Sequence, residues 1–251
     1  MAGWTWAAAS RRGTAHAETG DRRQDAYRVL TAAPSYLIAV ACDGAGSACF
    51  GGYGAAIAAR VLSTRAHERI TTNGVMPTPA MIELWIAEVR LMIMVSAERT
   101  GSAIADFATT LVMVVSNGTQ VVTAHIGDGA IVARCAGSTD VNALSWPHNG
   151  EYASTTFFLT DAAPCVRIGV IDDYPIDRLA LMTDGIERLA LDFAGRIAHR
   201  PFFDGVFGTI SPGQSTGPDR ILSRRLAAFL DSDTVNARTD DDKTLILAAL
   251  G

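Results

Sequence analysis

The sequence predicts an α+β fold in which antiparallel sheets form the core and a few helices cover them. Nine short apolar runs, partly β-branched and separated by Gly, Asn, Asp and Pro, have the character of strands. Only three longer segments repeat apolar residues at helical spacing. Because so few helices interrupt the strands, an alternating winding of strand and helix around a parallel sheet is not expected.

The predicted strands are short apolar runs bounded by turn-forming residues, and they cover residues 4–9, 26–30, 36–42, 109–115, 119–126, 130–135, 166–171, 178–183 and 244–250. The dipeptide Asn117-Gly118 between two of them predicts a hairpin, since a type I′ turn needs positive φ at both central residues. The dipeptide Asp128-Gly129 repeats this pattern. Residues 109–135 are therefore expected to form an antiparallel meander.

Three segments are predicted to be helical. Residues 53–70 are rich in Ala and follow a cluster of glycines, and residues 79–99 have Pro at their start. Residues 219–230 place apolar side chains such as Leu222 and Leu226 on one side.

The chain is expected to form a single domain over residues 1–251, because no internal repeat or low-complexity linker divides it. Residues 191–217 are its least periodic part and are rich in Gly and Pro. We interpret that segment as a lid or a surface insertion.

Composition excludes two classes of partner. A formal net charge of -5 and a pI near 5.5 leave no basic surface for nucleic acid or for an anionic membrane. No run reaches the roughly 18 apolar residues of a membrane span. The four cysteines, Cys42, Cys49, Cys135 and Cys165, lack zinc-site or C-x-x-C spacing, so free thiols and a cytoplasmic location are expected.

The acidic residues are unusual because Asp far outnumbers Glu. Asp is the poorer helix former, so these residues are expected in turns, caps or functional sites. Asp43-Gly44 and Asp184-Gly185 each follow an apolar strand directly, which places a carboxylate and a backbone carbonyl at the rim of a sheet. Mg²⁺ and Mn²⁺ prefer oxygen ligands of these two kinds. For any single Asp-Gly pair, a simple turn remains the alternative interpretation.

Seven segments, taken in order, resemble the motifs of the metal-dependent protein phosphatases, the PPM family of type 2C phosphatases. The resemblance is to short bacterial members with Q-D-A in the first motif and D-D-K-T in the last, and it spans about residues 10 to 250. The matching segments are GDRRQDAY, YLIAVACDGAGSACFGGYGAAIA, FATTLVMVV, AHIGDGAIV, HNGEYASTTFFLT, LALMTDGI and TDDDKTLIL.

The resemblance implies a four-layer α-β-β-α sandwich with two antiparallel sheets and a binuclear Mg²⁺ or Mn²⁺ site at one edge. The metal ligands that it implies, including Asp128 for a third, more weakly held ion and Asp43 as the bridging ligand, are Asp25, Asp43, Gly44 through its carbonyl, Asp184, Asp241 and Asp128. Thr109 and Thr110 match a strand motif to which we assign no chemistry.

The implied activity is hydrolysis of phosphoserine or phosphothreonine in a phosphorylated protein, in a serine/threonine kinase pathway. The implied mechanism is direct attack of a metal-bridging hydroxide, without a phosphoenzyme. Two divalent ions can create such a nucleophile and clamp the attacking oxygen. The rate acceleration that the reaction needs is larger than one general acid or base alone supplies. The cysteines lack the C-x₅-R arrangement of tyrosine phosphatases, so cysteine catalysis is disfavoured.

The sequence departs from the family pattern at three positions. Gly20 stands where many members have a phosphate-binding Arg, so Arg22 or Arg23 is the candidate substitute; the alternative is that both are solvated turn residues. Gln24 replaces a Glu and removes a negative charge. Ala45 stands where some relatives have a histidine that could act as general acid.

His16 is the candidate that remains for protonating the leaving oxygen or binding phosphate, although a structural role is the alternative. A flap near the channel mouth is expected to include His148, Asn149 and Glu151.

Two further hypotheses stay open. The departures at Gly20 and Gln24 are also compatible with a pseudophosphatase, a regulatory module that binds a phosphoprotein without hydrolysing it. A metal phosphohydrolase for small phosphate esters is the third interpretation, since residues 191–217 give no indication of the substrate.

Overall fold

The computed structural model describes residues 3–32, 35–148, 156–212 and 216–251. Its strands, numbered in chain order, are β1 Trp4–Arg11, β2 Ala26–Ala32, β3 Tyr36–Cys42, β4 Leu111–Ser116, β5 Val121–Ile126, β6 Ala130–Cys135, β7 Val141–Ser145, β8 Arg167–Ile171, β9 Ile176–Met182, β10 Leu191–Asp192, β11 Ile197–Ala198, β12 Gly217–Pro218 and β13 Lys243–Leu250. Its α-helices are α1 Thr14–Thr19, α2 Gly51–Asn73, α3 Pro79–Thr100, α4 Glu187–Ala190, α5 Arg200–Thr209, α6 Arg220–Leu230 and α7 Asp233–Asn236. Short 3-10 turns occupy Ile104–Phe107 and Asp184–Ile186.

The strands form two main sheets. The first sheet has the order β12-β1-β13-β9-β6-β7, and its neighbours are antiparallel except for the short β1–β12 pair. The second sheet has the order β2-β3-β4-β5-β8 and is antiparallel throughout. In the first sheet, β13 lies between β1 and β9, so the most C-terminal strand is an interior one.

Three apolar layers show that the molecule is a four-layer sandwich. Alternate residues of the facing strands, such as Leu37, Ile131 and Ile246, fill the space between the two sheets. The outer face of the second sheet packs on α2 and α3. The outer face of the first sheet packs on α5 and α6. The predicted α-β-β-α architecture is therefore confirmed.

The two long helices have the termini that their sequences favour. The side chain of Thr78 caps α3 by accepting a hydrogen bond from Met81 N, and Pro79 occupies the first turn, where it needs no amide hydrogen. Gly101 ends α3 in the left-handed conformation with φ of 66°. Helix α2 lacks a side-chain cap at its start but ends at Gly74 in the left-handed conformation, and each helix buries one apolar face, which is why both helices are predictable from the sequence.

The predicted meander over residues 109–135 is wrong in its second half. Strands β4 and β5 form the expected hairpin, but β6 leaves for the first sheet and pairs with β7 and β9. The chain crosses between the sheets at Gly127, whose φ of 97° only glycine adopts readily. The Asp128-Gly129 dipeptide therefore marks a change of sheet and not a hairpin.

Within residues 191–217, which are predicted to be a lid or a surface insertion, the described residues 191–212 and 216–217 contain regular structure. The segment includes a small hairpin of β10 and β11 and the ten-residue helix α5. Phe203 and Phe207 are buried in the apolar layer under the first sheet. Glycines at exposed positions of α5 weaken the helical repeat of apolar residues, which is why no helix was predicted there.

No helix among the described residues is both long and apolar enough to cross a lipid bilayer.

Replacing Phe203 tests whether this segment belongs to the core. We expect Phe203→Ala to lower the free energy of unfolding by about 3–5 kcal/mol, because the ring is fully buried. The control Phe193→Ala removes a ring that is 45% exposed, and we expect a loss below about 1 kcal/mol. Denaturant titration measures both values, and equal losses would contradict a core role for Phe203.

Candidate metal centre

Three carboxylates from separate connections meet at one edge of the sandwich. Asp43 follows β3, Asp184 follows β9, and Asp128 lies on the crossing from β5 to β6. In the part of the chain that the structure describes, one group of acidic side chains has the spacing of a metal site. It consists of these three residues, which offer oxygen atoms within 4.8 Å of one another.

The backbone of Asp43 is fixed by the start of β4. The carbonyl oxygen of Asp43 accepts hydrogen bonds from Thr110 N and Thr109 Oγ1, both at 2.8 Å. Asp43 N donates to Thr110 Oγ1 at 3.0 Å. The two threonines therefore have a definite role, because they hold the Asp43 main chain without engaging its carboxylate.

Close backbone contacts explain the glycine in two of the Asp-Gly pairs. A Cβ atom on Gly44 would lie 2.3 Å from the carbonyl carbon of Gly51, at the start of α2. A Cβ atom on Gly185 would lie 1.9 Å from Asp242 O. Neither position has room for a side chain, so each glycine lets the segment after its Asp approach neighbouring backbone.

Asp25 lies behind Asp43 and outside the group of three. It is 3% exposed, and its Oδ2 accepts hydrogen bonds from Thr183 Oγ1 and Thr244 Oγ1. The Asp25 carboxyl also contacts that of Asp43, and its Oδ1 has no hydrogen-bond donor within the described ranges. Asp25 is thus placed to orient Asp43 or a water beside it.

Asp241 and its neighbour Asp242 occupy different environments. Asp241 is exposed and lines a small opening of about 120 Å³ together with Asp184 and Glu187. Asp242 is 1% exposed and accepts hydrogen bonds from Gly13 N at 2.7 Å and from Gln24 N. Of the three consecutive acidic residues before this strand, only Asp241 was predicted to have a role, although Asp242 directly precedes the buried strand.

His16 on α1 is held by Asp242. Its Nδ1 lies 3.0 Å from Asp242 Oδ1, and the position of a Cβ on Gly46 would be 3.8 Å from its Nε2. Burial lowers the pKa of His16, but contact with Asp242 and the charge of Asp241 raise it more, so the net shift is upward. His16 is therefore biased toward its protonated form and faces the loop that follows Asp43.

The two arginines predicted to replace the missing Arg differ. Arg23 Nε donates to Asp25 O and its Nη1 to Ser10 O, so its guanidinium is engaged by backbone. Arg22 is exposed and makes no ion pair or hydrogen bond with any residue in the described ranges. Gly20 ends α1 with φ of 81°, a conformation that an arginine would rarely adopt.

Gln24 contacts the same loop as the metal-binding candidates. With its amide nitrogen turned toward the loop, it donates to Gly44 O at 3.0 Å and to Ala45 O at 2.8 Å. A carboxylate at this position could not donate these bonds. The departure from Glu thus adds a support for the Gly44 carbonyl while it removes a charge.

Electrostatics indicate that the centre is built for a cation. Burial raises the pKa of both Asp43 and Asp184 well above the usual range, and neighbouring carboxylates raise it further. Burial likewise raises the pKa of Asp25, to about 6. Within the described ranges, Asp128 Oδ1 and Asp184 Oδ1 are buried without any hydrogen-bond partner. Unpartnered buried oxygens that repel each other fit a hard divalent cation.

Glu187 is a further acidic residue that the sequence analysis missed. It lies on the first turn of α4, three residues after Asp184, and it lines the same opening. Burial raises its pKa to about 7, and the charge of Asp128 adds to the shift. Its spacing is the signal that could have identified it, because a residue three positions after a predicted ligand on a helical turn lies on the same side of the turn.

Only part of the predicted flap can be described. The His148 ring lies 5.0 Å from that of Phe157, and its Nδ1 is 3.7 Å from Cys165 Sγ. Asn149 and Glu151 lie outside the described residues. Thr156 Oγ1 donates a hydrogen bond to Asp128 Oδ2, which connects the end of this segment to the carboxylate cluster.

The stability of the metal-free protein is expected to fall as pH rises. The carboxylates of the centre have raised pKa values in the folded state, so their favourable contribution is complete below about pH 4. It is lost as pH passes through the raised values, about 6 for Asp25. In EDTA we expect Asp43→Asn to raise Tm at pH 8 by about 2–4 °C for each kcal/mol of repulsion relieved.

Differential scanning fluorimetry from pH 5 to pH 8 measures this effect. The control Asp140→Asn changes an exposed residue away from the centre and should leave the pH dependence unchanged. A pH-independent Tm of the unsubstituted protein in EDTA would contradict the prediction.

Comparisons with known proteins agree with this architecture. A family model described as protein phosphatase 2C matches residues 12–231. Serine/threonine-protein phosphatase 3 of Escherichia coli K12 is 31% identical over 250 residues, 98% of each chain. The PstP catalytic domain, solved with 2 manganese ions, gives a TM-score of 0.64 at 15% identity, covering 100% of this chain and 99% of its own. The structure of PppA of Pseudomonas aeruginosa gives a TM-score of 0.66 at 18% identity, and the match covers 99% of this chain and 98% of PppA. The chain belongs to the protein phosphatase 2C family.

Proposed function

We propose that this protein is a metal-dependent serine/threonine phosphatase that hydrolyses phosphomonoesters on proteins. The observation that carries the proposal is the group of Asp43, Asp128 and Asp184, whose oxygens converge and include two buried atoms without a partner among the described residues. Family membership gives the reaction class, and the carboxylate cluster supplies the groups that the reaction needs.

Two Mg²⁺ or Mn²⁺ ions would be held by Asp43, Asp184 and Asp241 and by the carbonyl of Gly44, with Asp128 available to a third. When bound, such ions lower the pKa of a coordinated water and neutralise phosphoryl charge. The chain supports this chemistry by fixing the Asp43 main chain through the threonines of β4. Asp25 is proposed to orient the attacking water through its carboxylate.

His16 is proposed to donate a proton from Nε2 to the leaving serine or threonine oxygen. Asp242, on the Nδ1 side of the ring, stabilises the imidazolium form and sets the ring orientation. Arg22 is proposed to bind the phosphate in place of the Arg that Gly20 replaces, since its guanidinium is free of partners among the described residues. Arg23 holds the loop that carries Asp25.

The remaining parts of the proposal rest on the sequence. A phosphoprotein of a serine/threonine kinase pathway is the proposed substrate, and the cytoplasm is the proposed location, in keeping with four cysteines that are all unpaired. A phosphoprotein-binding module without activity and a small-ester hydrolase are the competing functions that the following experiments distinguish.

Metal-dependent turnover is the first test. We expect the purified protein to hydrolyse a phosphothreonine peptide with Mn²⁺ and to be inactive in EDTA. Asp43→Asn and Asp184→Asn should lower metal affinity by about 10–100-fold or more by calorimetry, and kcat/KM with it. Asp140→Asn is the matched control. Metal binding without turnover would favour the binding module, and turnover of p-nitrophenyl phosphate alone would favour the small-ester hydrolase.

The role of His16 gives a second test. A general acid contributes about 10²–10⁴-fold to a rate, so we expect His16→Gln to lower kcat by that range. It should also remove the alkaline limb of the pH–rate profile. Asp242→Asn should shift that limb toward lower pH, because the imidazolium loses its stabilising carboxylate. A variant with unchanged kcat and pH profile would assign His16 a structural role.

A further inference from the structure

A second cavity lies beside the metal centre. It measures about 420 Å³ and is formed by the loop from Asp21 to Gln24 on one side and the start of α2 on the other. Gln24 connects this cavity to the centre, because it lines the cavity while its amide contacts Gly44 O, next to Asp43. A substrate whose phosphate reached the carboxylate cluster would therefore place its neighbouring residues at this cavity.

The wall formed by α2 is rigid. The ring of Phe50 stacks on that of Phe107 with centroids 5.0 Å apart, and Phe50 N donates to Asp106 O at 2.8 Å. A Cβ on Gly54 would lie 2.0 Å from Phe107 O, so the helix is packed directly against that segment. A preorganised wall loses little conformational entropy when a ligand binds.

Tyr53 presents an aromatic ring that is not buried in the folded protein. Its side chain is 61% exposed, and its ring lies 6.1 Å from that of Phe50. The structure gives its hydroxyl no hydrogen-bond partner among the described residues. Exposed aromatic rings on rigid supports are typical anchors at binding surfaces, since they offer large contact area at low entropic cost.

The opposite wall adds one free positive charge. Arg22 borders the cavity without a partner in the described ranges, whereas Arg23 is engaged by backbone carbonyls. A guanidinium can bind the substrate phosphate and also lie over an aromatic ring. Aromatic, apolar and cationic groups, together with the acidic residue Asp21, thus surround a space next to the reacting centre.

We propose that this cavity receives an aromatic side chain of the substrate, close in sequence to the phosphoserine or phosphothreonine. The inference rests on the proposed phosphatase function and refines it to a substrate class, namely phosphopeptides with Phe, Tyr or Trp beside the phosphorylated residue. Tyr53 is the specificity-determining residue, and it has no part in the chemistry at the metal centre.

Paired phosphopeptides test the proposal. Peptides of otherwise identical sequence carry Phe, Leu or Ala at each position up to three residues from the phosphothreonine, and kcat/KM is measured with Mn²⁺. We expect Phe to be preferred over Ala by about 3- to 10-fold at one of these positions. Tyr53→Ala should abolish the preference while hydrolysis of the Ala peptide is unchanged, and Tyr53→Phe, which keeps the ring, should retain it.

The matched control is Leu84→Ala, which removes an exposed apolar side chain on α3, away from the cavity, and should retain the preference. Hydrolysis of all peptides at one rate, or a preference that survives in Tyr53→Ala, would overturn the inference and leave the phosphatase function intact. Absence of metal-dependent hydrolysis of every peptide would overturn both.

Discussion

Repulsion among the buried carboxylates at one edge of the sandwich is the constraint on which the rest of this structure depends. Asp43, Asp128 and Asp184 come from three connections and two sheets, and without a cation they destabilise one another. The fold nevertheless holds these carboxylates together, because threonines fix the Asp43 main chain, Thr156 donates to Asp128, and glycines let the adjoining backbone pack closely. This repulsion lowers the stability of the metal-free protein, and a bound cation would relieve it, which favours strong binding at this place.

Much of this arrangement could be predicted from the sequence, because a strand followed by Asp-Gly fixes both the position and the direction of a carboxylate. Asp43 and Asp184 satisfy that rule, and strands 36–42 and 130–135 have the predicted bounds. The sheet change at Gly127 could not be predicted, since a hairpin and a crossing use the same residue types locally. The distinct environments of Asp241 and Asp242 depend on contacts more than 200 residues apart in sequence.

The departures from the family pattern form a consistent set in three dimensions. Gln24 removes a negative charge but, with its amide nitrogen turned toward the loop, donates hydrogen bonds to the Gly44 and Ala45 carbonyls, so the loop gains support where it loses electrostatic attraction for a cation. Gly20 cannot replace the missing guanidinium and instead ends α1, the helix that carries His16. The position that usually carries the phosphate-binding Arg is thus occupied by a residue with a structural role, and phosphate binding is left to a neighbour such as Arg22.

The interior position of β13 has a consequence for the order of assembly. This strand lies between β1 and β9, and Asp241 and Asp242 immediately precede it. During synthesis, β1, β9 and the other carboxylates emerge before the strand that joins them in one sheet. The His16–Asp242 contact and any contribution of Asp241 to the centre can therefore form only after residues 241 and 242 have been made, whereas Asp43, Asp128 and Asp184 are all present earlier.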